Sequence, residues 1–168
     1  GLPSPMVILP GVDPVRFTPP LEPPPPPLAL LTVGRLMPRK GVDTVLRALP
    51  ALLPEFANLH YIVAGDGPDR LRLERLVREL RVSHAVEFLG CVSDEELPDL
   101  YRRAHVFVMP TREEPEQASI EGFGIVFLEA SASGLPVVAG RSGGAVEAVR
   151  DGETGLLVPP NDPGVLAQ

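Results

Sequence analysis

LALLTVG, residues 28–34, is the clearest strand signal in the sequence. It is a continuous apolar run closed by a glycine, which is typical of a strand buried on both faces of a parallel sheet. A helical pattern follows at residues 40–53, and the same order of strand, turn and helix then repeats along the chain. Strands that alternate with helices predict a doubly wound, Rossmann-like α/β fold with right-handed crossovers.

The remaining elements follow from short apolar runs, helical periodicity and turn residues. Strands are predicted at residues 59–64, 85–89, 106–109, 136–139 and 155–158. Helices are predicted to open at Pro68, at the capping box that begins with Ser93, near Gly124, at Gly144 and at Asp162. Because the carboxyl ends of parallel strands meet at one edge of the sheet, the segments after the strands should line a single ligand crevice.

Composition narrows the classes of function. The 168 residues suffice for one well-packed domain, and a net charge of -7 disfavours a nucleic-acid partner. The single cysteine, Cys91, excludes an internal disulfide and a cysteine metal cluster. No apolar run reaches the roughly 20 residues of a membrane helix. The single cysteine favours a reducing compartment, so we expect a cytoplasmic protein. The three histidines lack metal-ligand spacing, so we expect no metal site.

The first 27 residues differ from the rest of the chain. Residues 6–9 form a short apolar run, and residues 19–27 are rich in proline, which is typical of a stiff polyproline-like connector. We therefore predict an interdomain arm and connector at residues 1–27 and a ligand-binding domain at residues 28–168. The last helix has barely begun at Gln168, so we expect this sequence to be truncated at both ends relative to a longer protein.

Three cations follow the first strand. Arg35, Arg39 and Lys40 precede the amino end of a helix, where the helix dipole already presents partial positive charge. A diphosphate would relieve this repulsion, because arginine offers a bidentate fork and lysine a mobile point charge beside free backbone N–H groups. The alternative is that these side chains simply extend into water.

EGFGIVFLE, residues 121–129, is the second candidate segment. Gly124 stands where a helix begins, so the backbone can approach a ligand closely while the N–H groups of Ile125 and Val126 point outward. Glu129 would lie roughly 7 Å below the helix start, so Glu121 and Glu129 can reach different parts of one elongated ligand. Taken alone, the segment also fits a capped helix with a solvated glutamate.

A series of short motifs runs in order along most of the chain. The motifs are LPGVD at 9–13, VGR at 33–35 with KG at 40–41, AGDGP at 64–68, FLG at 88–90, EGFG at 121–124, EA at 129–130, GLPVVA at 134–139, GG at 143–144 and DGETGLLV at 151–158. Together they resemble the C-terminal, donor-binding domain of the family 4 retaining glycosyltransferases, which is the C-terminal half of a GT-B fold. The resemblance implies transfer of a hexose from a GDP- or UDP-linked sugar, with no metal and no cofactor.

The resemblance also implies roles for the candidate residues. Arg35 and Lys40 would bind the donor pyrophosphate and Glu121 the hydroxyls of the transferred sugar, and these three are the catalytic candidates. Glu129 would hold the ribose. The cations and the helix terminus would then stabilise the negative charge that develops on the leaving nucleoside diphosphate.

Further donor contacts are implied around this set. The backbone of Phe123, Gly124, Ile125 and Val126 would contact sugar and phosphate, the main chain of Val92 would contact the base, and Asp94 would read a guanine edge. The LPGVD motif and Asp94 favour mannosyl or glucosyl transfer. The residues leave open the base, the sugar, the acceptor and the oligomeric state.

Two features depart from the family pattern. The loop at residues 111–119 is acidic, with Glu113, Glu114 and Glu116, and looks longer than usual, which leaves its role open. The N-terminal acceptor domain of a GT-B enzyme is missing, so we expect the fragment to bind the donor without turnover. For the full-length enzyme, association with the periphery of a membrane stays open.

Three other functions compete with this interpretation. A non-catalytic nucleotide- or sugar-binding module would share the same residues. A nicotinamide-dependent dehydrogenase would need a glycine fingerprint that residues 34–36 do not supply. A glycosidase that uses Glu121 and Glu129 as acid and base would leave Arg35 and Lys40 without a role.

Overall fold

A single parallel sheet organises the chain, for which the computed structural model describes residues 10–114 and 121–168. Its strands are β1 (Ala29–Val33), β2 (His60–Ala64), β3 (Val86–Gly90), β4 (Val106–Met109), β5 (Val137–Gly140) and β6 (Gly155–Val158). All the pairings between them are parallel, and their spatial order is β3-β2-β1-β4-β5-β6. The predicted doubly wound, Rossmann-like α/β fold is confirmed.

Helices cover both faces of the sheet. Those in the described residues are α1 (Val42–Leu52), α2 (Arg70–Glu79), α3 (Leu97–Arg103), α4 (Ile125–Ala132), α5 (Ala145–Ala148) and α6 (Pro163–Leu166). Leu31 and Phe107 point into the apolar cluster beneath α3 and α4, whereas Leu30 and Val108, their neighbours in sequence, point into the cluster beneath α1 and α2. Because both faces are covered, the strands are continuous apolar runs, and each fully buried leucine contributes about 2 kcal/mol.

Three predicted helices begin later than their sequence patterns indicate, and one of them, predicted to open at Pro68, begins as α2 at Arg70. The predicted helix at 40–53 is a short 3-10 turn, Pro38–Lys40, followed by α1, with Gly41 between them at a φ of 72°. A Cβ at Gly41 would lie 2.0 Å from the Pro110 carbonyl oxygen, so the break lets the turn pack closely on the exit of β4. The Ser93–Glu96 capping box forms its hydrogen bonds, but residues 94–96 make a turn and α3 begins after them.

The predicted arm packs onto the domain. Phe17 is 4% exposed, and its ring meets that of Tyr101 edge to face, with centroids 5.8 Å apart. Asp13 shapes the turn before it: the carboxylate accepts a hydrogen bond from the Val15 N–H, and the Asp13 carbonyl accepts one from the Phe17 N–H. The predicted apolar run at residues 6–9 lies outside the described residues, and the domain boundary after residue 27 stays a prediction.

The connectivity reverses between β1 and β4. Strand β1 pairs with β2 on one side and with β4 on the other, so a crevice opens where their carboxyl ends diverge. The residues that follow β1 and the segment that leads into α4 both lie at this edge. The fold therefore places the two candidate segments of the sequence at the position where doubly wound sheets bind ligands.

The packing of Phe17 yields a test of the arm. Phe17→Ala should lower the free energy of unfolding by about 3 kcal/mol, because the substitution removes a buried ring from the core. Val15→Ala in the same turn is the matched control, since Val15 is 85% exposed and should change stability little. Urea unfolding followed by circular dichroism measures both, and equal stability of the two variants would mean that the arm does not belong to the folding unit.

Candidate functional site

Lys40 and Glu121 meet at the carboxyl edge of the sheet. The distance between Lys40 Nζ and Glu121 Oε2 is 2.8 Å, and the two side chains are 10% and 9% exposed. Arg39 Nε lies 3.8 Å from the same carboxylate oxygen. Two cations therefore converge on one buried carboxylate, and loss of Glu121 would leave the buried Lys40 charge without this counter-ion.

This pair touches both candidate segments. Lys40 Nζ lies 3.6 Å from the point that a Cβ at Gly34 would occupy, beside the backbone that carries Arg35. Glu121 Cγ lies 3.7 Å from the corresponding point at Gly124, the residue that precedes α4. The pair thus bridges the end of β1 and the amino end of α4.

Helix α4 begins with a constrained glycine. Gly124 has φ 74° and ψ 63°, and a Cβ there would lie 2.6 Å from the Phe127 ring. The Gly124 carbonyl accepts a hydrogen bond from the Phe127 N–H, while helical geometry directs the first-turn N–H groups of Ile125 and Val126 away from the helix. Phe123 and Gly124 are partly exposed, so the amino end of α4 is open to an anion.

A second glycine fixes the backbone at Glu121. Gly144, in the loop after β5, donates its N–H to the Glu121 carbonyl at 3.0 Å, and a Cβ at Gly144 would lie 1.5 Å from the Gly122 carbonyl oxygen. In the same loop Ser142 is buried, and its hydroxyl has no hydrogen-bond partner among the described residues. The loop at 142–144 thus supports the segment that carries Glu121.

Glu129 forms the far end of the site along α4. Its carboxylate accepts a hydrogen bond from the Tyr101 hydroxyl at 2.8 Å, and the same hydroxyl lies 3.4 Å from the Val126 carbonyl oxygen. Burial raises the pKa of Glu129 and the charge of Asp94 raises it further, whereas the Tyr101 hydrogen bond and the positive charge of Arg16 act in the opposite sense. The net pKa is above that of an exposed glutamate.

Arg35 and Val92 share a separate part of the edge. The Arg35 side chain is exposed, unlike that of Lys40, and it lines a cleft of about 390 Å³ between the loops that follow β1, β2 and β3. Val92 and Leu97 line the same cleft from the side of α3. The structure thus brings together Arg35 with Val92, and Lys40 with Glu121, while Glu129 and Asp94 act on each other electrostatically.

Sequence reasoning missed a buried ion cluster behind this edge. Asp43, in the first turn of α1, accepts two hydrogen bonds from the Arg112 guanidinium, at 2.7 and 3.2 Å, and one from Arg72 at 3.0 Å. Burial alone would raise the pKa of Asp43, but Arg112 and Arg72 together hold it below its usual value. The Arg112 N–H also donates to the Arg39 carbonyl at 2.9 Å, so the cluster ties the exit of β4 to the turn that carries Lys40.

The acidic loop is only partly described. Glu114 pairs with Arg112 at 2.7 Å, whereas Glu116 and the rest of residues 115–120 lie outside the described part of the chain. The position of Arg112 could have indicated its importance, because it is a basic residue two positions after Pro110, at the carboxyl edge of the sheet. The role of the loop at 111–119 stays open.

The described residues contain neither a metal-ligand cluster nor a membrane-spanning helix. In residues 10–114 and 121–168, no three His, Cys, Asp or Glu side chains are grouped so that they could hold a metal ion. No helix in those ranges is both long enough and apolar enough to cross a membrane. Metal independence and cytoplasmic location stay predictions.

The doubly wound fold and the charged site at the carboxyl edge of its sheet together define the C-terminal half of a GT-B glycosyltransferase. The structure is similar to the C-terminal domain of the glycosyl transferase group 1 protein LpcC from Francisella tularensis, with a TM-score of 0.78, 26% identity, and coverage of 94% of this chain and 84% of that one. It is also similar to HepE from Anabaena in complex with UDP and glucose, with a TM-score of 0.80, 26% identity, and coverage of 96% and 45%. The chain belongs to the family described as glycosyl transferases group 1, which matches residues 17–168.

Relatives in sequence are glycosyltransferases too. The chain is 45% identical over 133 residues to the GDP-mannose-dependent alpha-(1-6)-phosphatidylinositol monomannoside mannosyltransferase of Mycolicibacterium smegmatis, covering 79% of this chain and 35% of that protein. It is 37% identical over 180 residues to the D-inositol 3-phosphate glycosyltransferase of Streptomyces bingchenggensis, covering 96% and 38%. The chain spans about a third of the length of the curated relatives it matches. Membership of this family removes the dehydrogenase and glycosidase alternatives.

The raised pKa of Glu129 yields a test of the unliganded site. A carboxyl whose pKa is higher in the folded than in the unfolded state loses stabilising free energy as the pH rises through that folded pKa. Glu129→Gln should therefore raise the melting temperature at pH 7 by about 2 °C and change it less at pH 4. Glu95→Gln, an exposed glutamate on the loop before α3, is the control. A melting temperature at pH 7 that falls for Glu129→Gln would contradict the burial of this carboxylate.

Proposed function

We propose that this chain binds a nucleoside-diphosphate sugar and forms the donor half of a retaining, metal-independent glycosyltransferase that moves a hexose. The observation that carries the proposal is the buried Lys40–Glu121 contact beside the open amino end of α4. It supplies a cation for phosphate, a carboxylate for hydroxyl groups and the first-turn N–H groups of a helix in one place. Membership of the group 1 glycosyl transferases supports it.

The donor pyrophosphate would lie between the end of β1 and the start of α4. Lys40 would contact it from within the site, and the exposed Arg35 would close over it from the rim of the cleft. The N–H groups of Ile125 and Val126 would donate to phosphate oxygens. During transfer these groups would stabilise the charge that collects on the nucleoside diphosphate as it leaves.

The transferred sugar would replace Lys40 as the partner of Glu121. A sugar nucleotide presents anionic oxygens and hydroxyl donors a few ångströms apart, so it would satisfy Lys40 with phosphate and Glu121 with hydroxyl groups at the same time. Each charged group would exchange one partner for another without becoming unpaired. Glu121 would thereby fix the orientation of the hexose, together with the backbone of Phe123 and Gly124.

The nucleoside would lie beside Glu129, further along α4 than the phosphates. Glu129, now hydrogen-bonded to the Tyr101 hydroxyl, would accept hydrogen bonds from the ribose hydroxyls. The main chain of Val92 and the side chain of Asp94 would contact the base. HepE, whose solved complexes contain UDP, has a similar fold, which supports a nucleotide at this edge.

GDP-mannose is the donor that we propose first. The relatives that match at 45% and 43% identity are named as GDP-mannose-dependent mannosyltransferases. A UDP-linked glucose is the second candidate, because the HepE complexes carry UDP with glucose and UDP-glucose. For the acceptor we propose an inositol-containing phosphate compound, since the names of both groups of relatives include one.

The phosphate contacts are tested by calorimetry on the 168-residue chain with GDP, UDP and GDP-mannose in the presence of EDTA. We expect saturable binding without added metal. Arg35→Ala combined with Lys40→Ala should weaken binding at least about 100-fold, because each cation makes a charge-assisted hydrogen bond worth roughly 1.5–3 kcal/mol.

The matched control has the same change of net charge. Arg75→Ala combined with Arg78→Ala removes two exposed arginines from α2, on the helix face away from the sheet, and should leave binding unchanged. Thermal melts confirm that each variant is folded. Equal affinity of the Arg35/Lys40 double variant and the unsubstituted chain would overturn the assignment of these residues to the pyrophosphate.

A further inference from the structure

Arg16 belongs to the arm, yet its side chain reaches the loop between β3 and α3. Its Nη2 donates a hydrogen bond to the main-chain carbonyl of Asp94. The guanidinium lies over the Phe17 ring, 5.1 Å from the centroid, and its positive charge acts on the Glu129 carboxyl. One side chain of the arm therefore bonds to the loop that carries Asp94, and its charge favours the ionised form of Glu129.

The backbone that carries Arg16 is held on both sides. Before it, the Asp13 carboxylate accepts hydrogen bonds from the N–H groups of Val15 and Arg16, at 2.9 and 3.3 Å. After it, the buried Phe17 ring anchors the turn against Tyr101. Arg16 thus projects from a turn that Asp13 and Phe17 hold on either side.

The charges around Glu129 come from three elements. Tyr101 of α3 donates a hydrogen bond to the carboxylate, Asp94 of the β3–α3 loop repels it, and Arg16 of the arm attracts it. Among the described groups that act on Glu129, Arg16 is the one cation. Burial and Asp94 both disfavour the ionised carboxyl, so Arg16 opposes them.

We propose that Arg16 is a positioning residue of the nucleotide end of the site: it anchors the Asp94 loop where the base would lie and places a positive charge beside the carboxylate that would bind the ribose. The inference rests on the proposed nucleotide-sugar function. It also makes the arm a component of the nucleotide site, since residues 13–17 set the position of the guanidinium.

Two substitutions separate the charge of Arg16 from its hydrogen bond. Arg16→Gln keeps an N–H donor but removes the charge, whereas Arg16→Lys keeps the charge and loses the planar guanidinium over Phe17. Without the charge, Glu129 would take up a proton at higher pH and then accept ribose hydrogen bonds poorly. The acid side of the pH profile of nucleotide affinity should therefore move to higher pH in Arg16→Gln and stay in place in Arg16→Lys.

The experiment is calorimetric titration of the 168-residue chain from pH 5 to pH 8 with whichever of GDP and UDP binds more tightly. Towards the acid end of this range we expect Arg16→Gln to bind about tenfold more weakly than the unsubstituted chain, with the difference narrowing as the pH rises. Arg78→Gln, on the exposed face of α2, is the control with the same charge change. Circular dichroism melts establish that the variants are folded.

The outcomes are distinct. Nucleotide binding by the unsubstituted chain together with an unshifted profile in Arg16→Gln overturns the inference alone. Equal loss of affinity at every pH in both Arg16 variants also overturns it, because that result would indicate a purely structural role. Binding of neither GDP nor UDP by the unsubstituted chain overturns the proposed function, and this inference with it.

Discussion

The burial of Lys40 beside Glu121 is the constraint on which the rest of the site depends. Both charges lose most of their hydration at the sheet edge, and their mutual attraction offsets that cost only when their geometry is held closely. The fold supplies that geometry. Gly41 lets the turn that carries Lys40 approach the exit of β4, and Gly144 bonds to the backbone of Glu121.

Charge around this pair is distributed over several elements. Arg39 adds a second cation next to Glu121, and its own backbone is tied through Arg112 to Asp43 in α1. An edge with this excess of cations stands out in a chain whose net charge is -7. A ligand that carries phosphate and hydroxyl groups together matches such an edge better than a simple anion does, because a simple anion would compete with Glu121 for Lys40 without giving Glu121 a new partner.

Sequence patterns predicted the fold well because burial on both faces of the sheet leaves a strong local signal. The strands predicted at 106–109 and 155–158 have the bounds of β4 and β6. Those predicted at 85–89 and 136–139 are shifted by one residue, and those at 28–33 and 59–64 begin one residue early. Local patterns failed where distant backbone decides the outcome. Contact with Pro110 breaks the helix predicted at 40–53, and no feature within that segment other than Gly41 indicates the break.

The site was predictable in outline but not in its partnerships. Lys40 and Glu121 each stood out, since a cation before a helix and a carboxylate before a glycine-led helix are visible locally. Their contact was not visible, because residues far apart in the sequence meet only through the order of the strands. Arg112 and Arg16 also contact residues that are distant in the sequence, so their contributions were not predicted. Arg112 lies in a loop that is otherwise acidic, and Arg16 lies in an arm that was predicted to be separate from the domain.

We propose that the bound donor takes the place of the Lys40–Glu121 contact. The most direct measurement is the distance between Lys40 Nζ and Glu121 Oε2 in crystal structures of this chain with and without GDP-mannose. We expect the 2.8 Å contact in the free chain to open beyond 4 Å in the complex, with a phosphate oxygen at Lys40 and a sugar hydroxyl at Glu121. A bound donor that leaves this contact closed would contradict the claim.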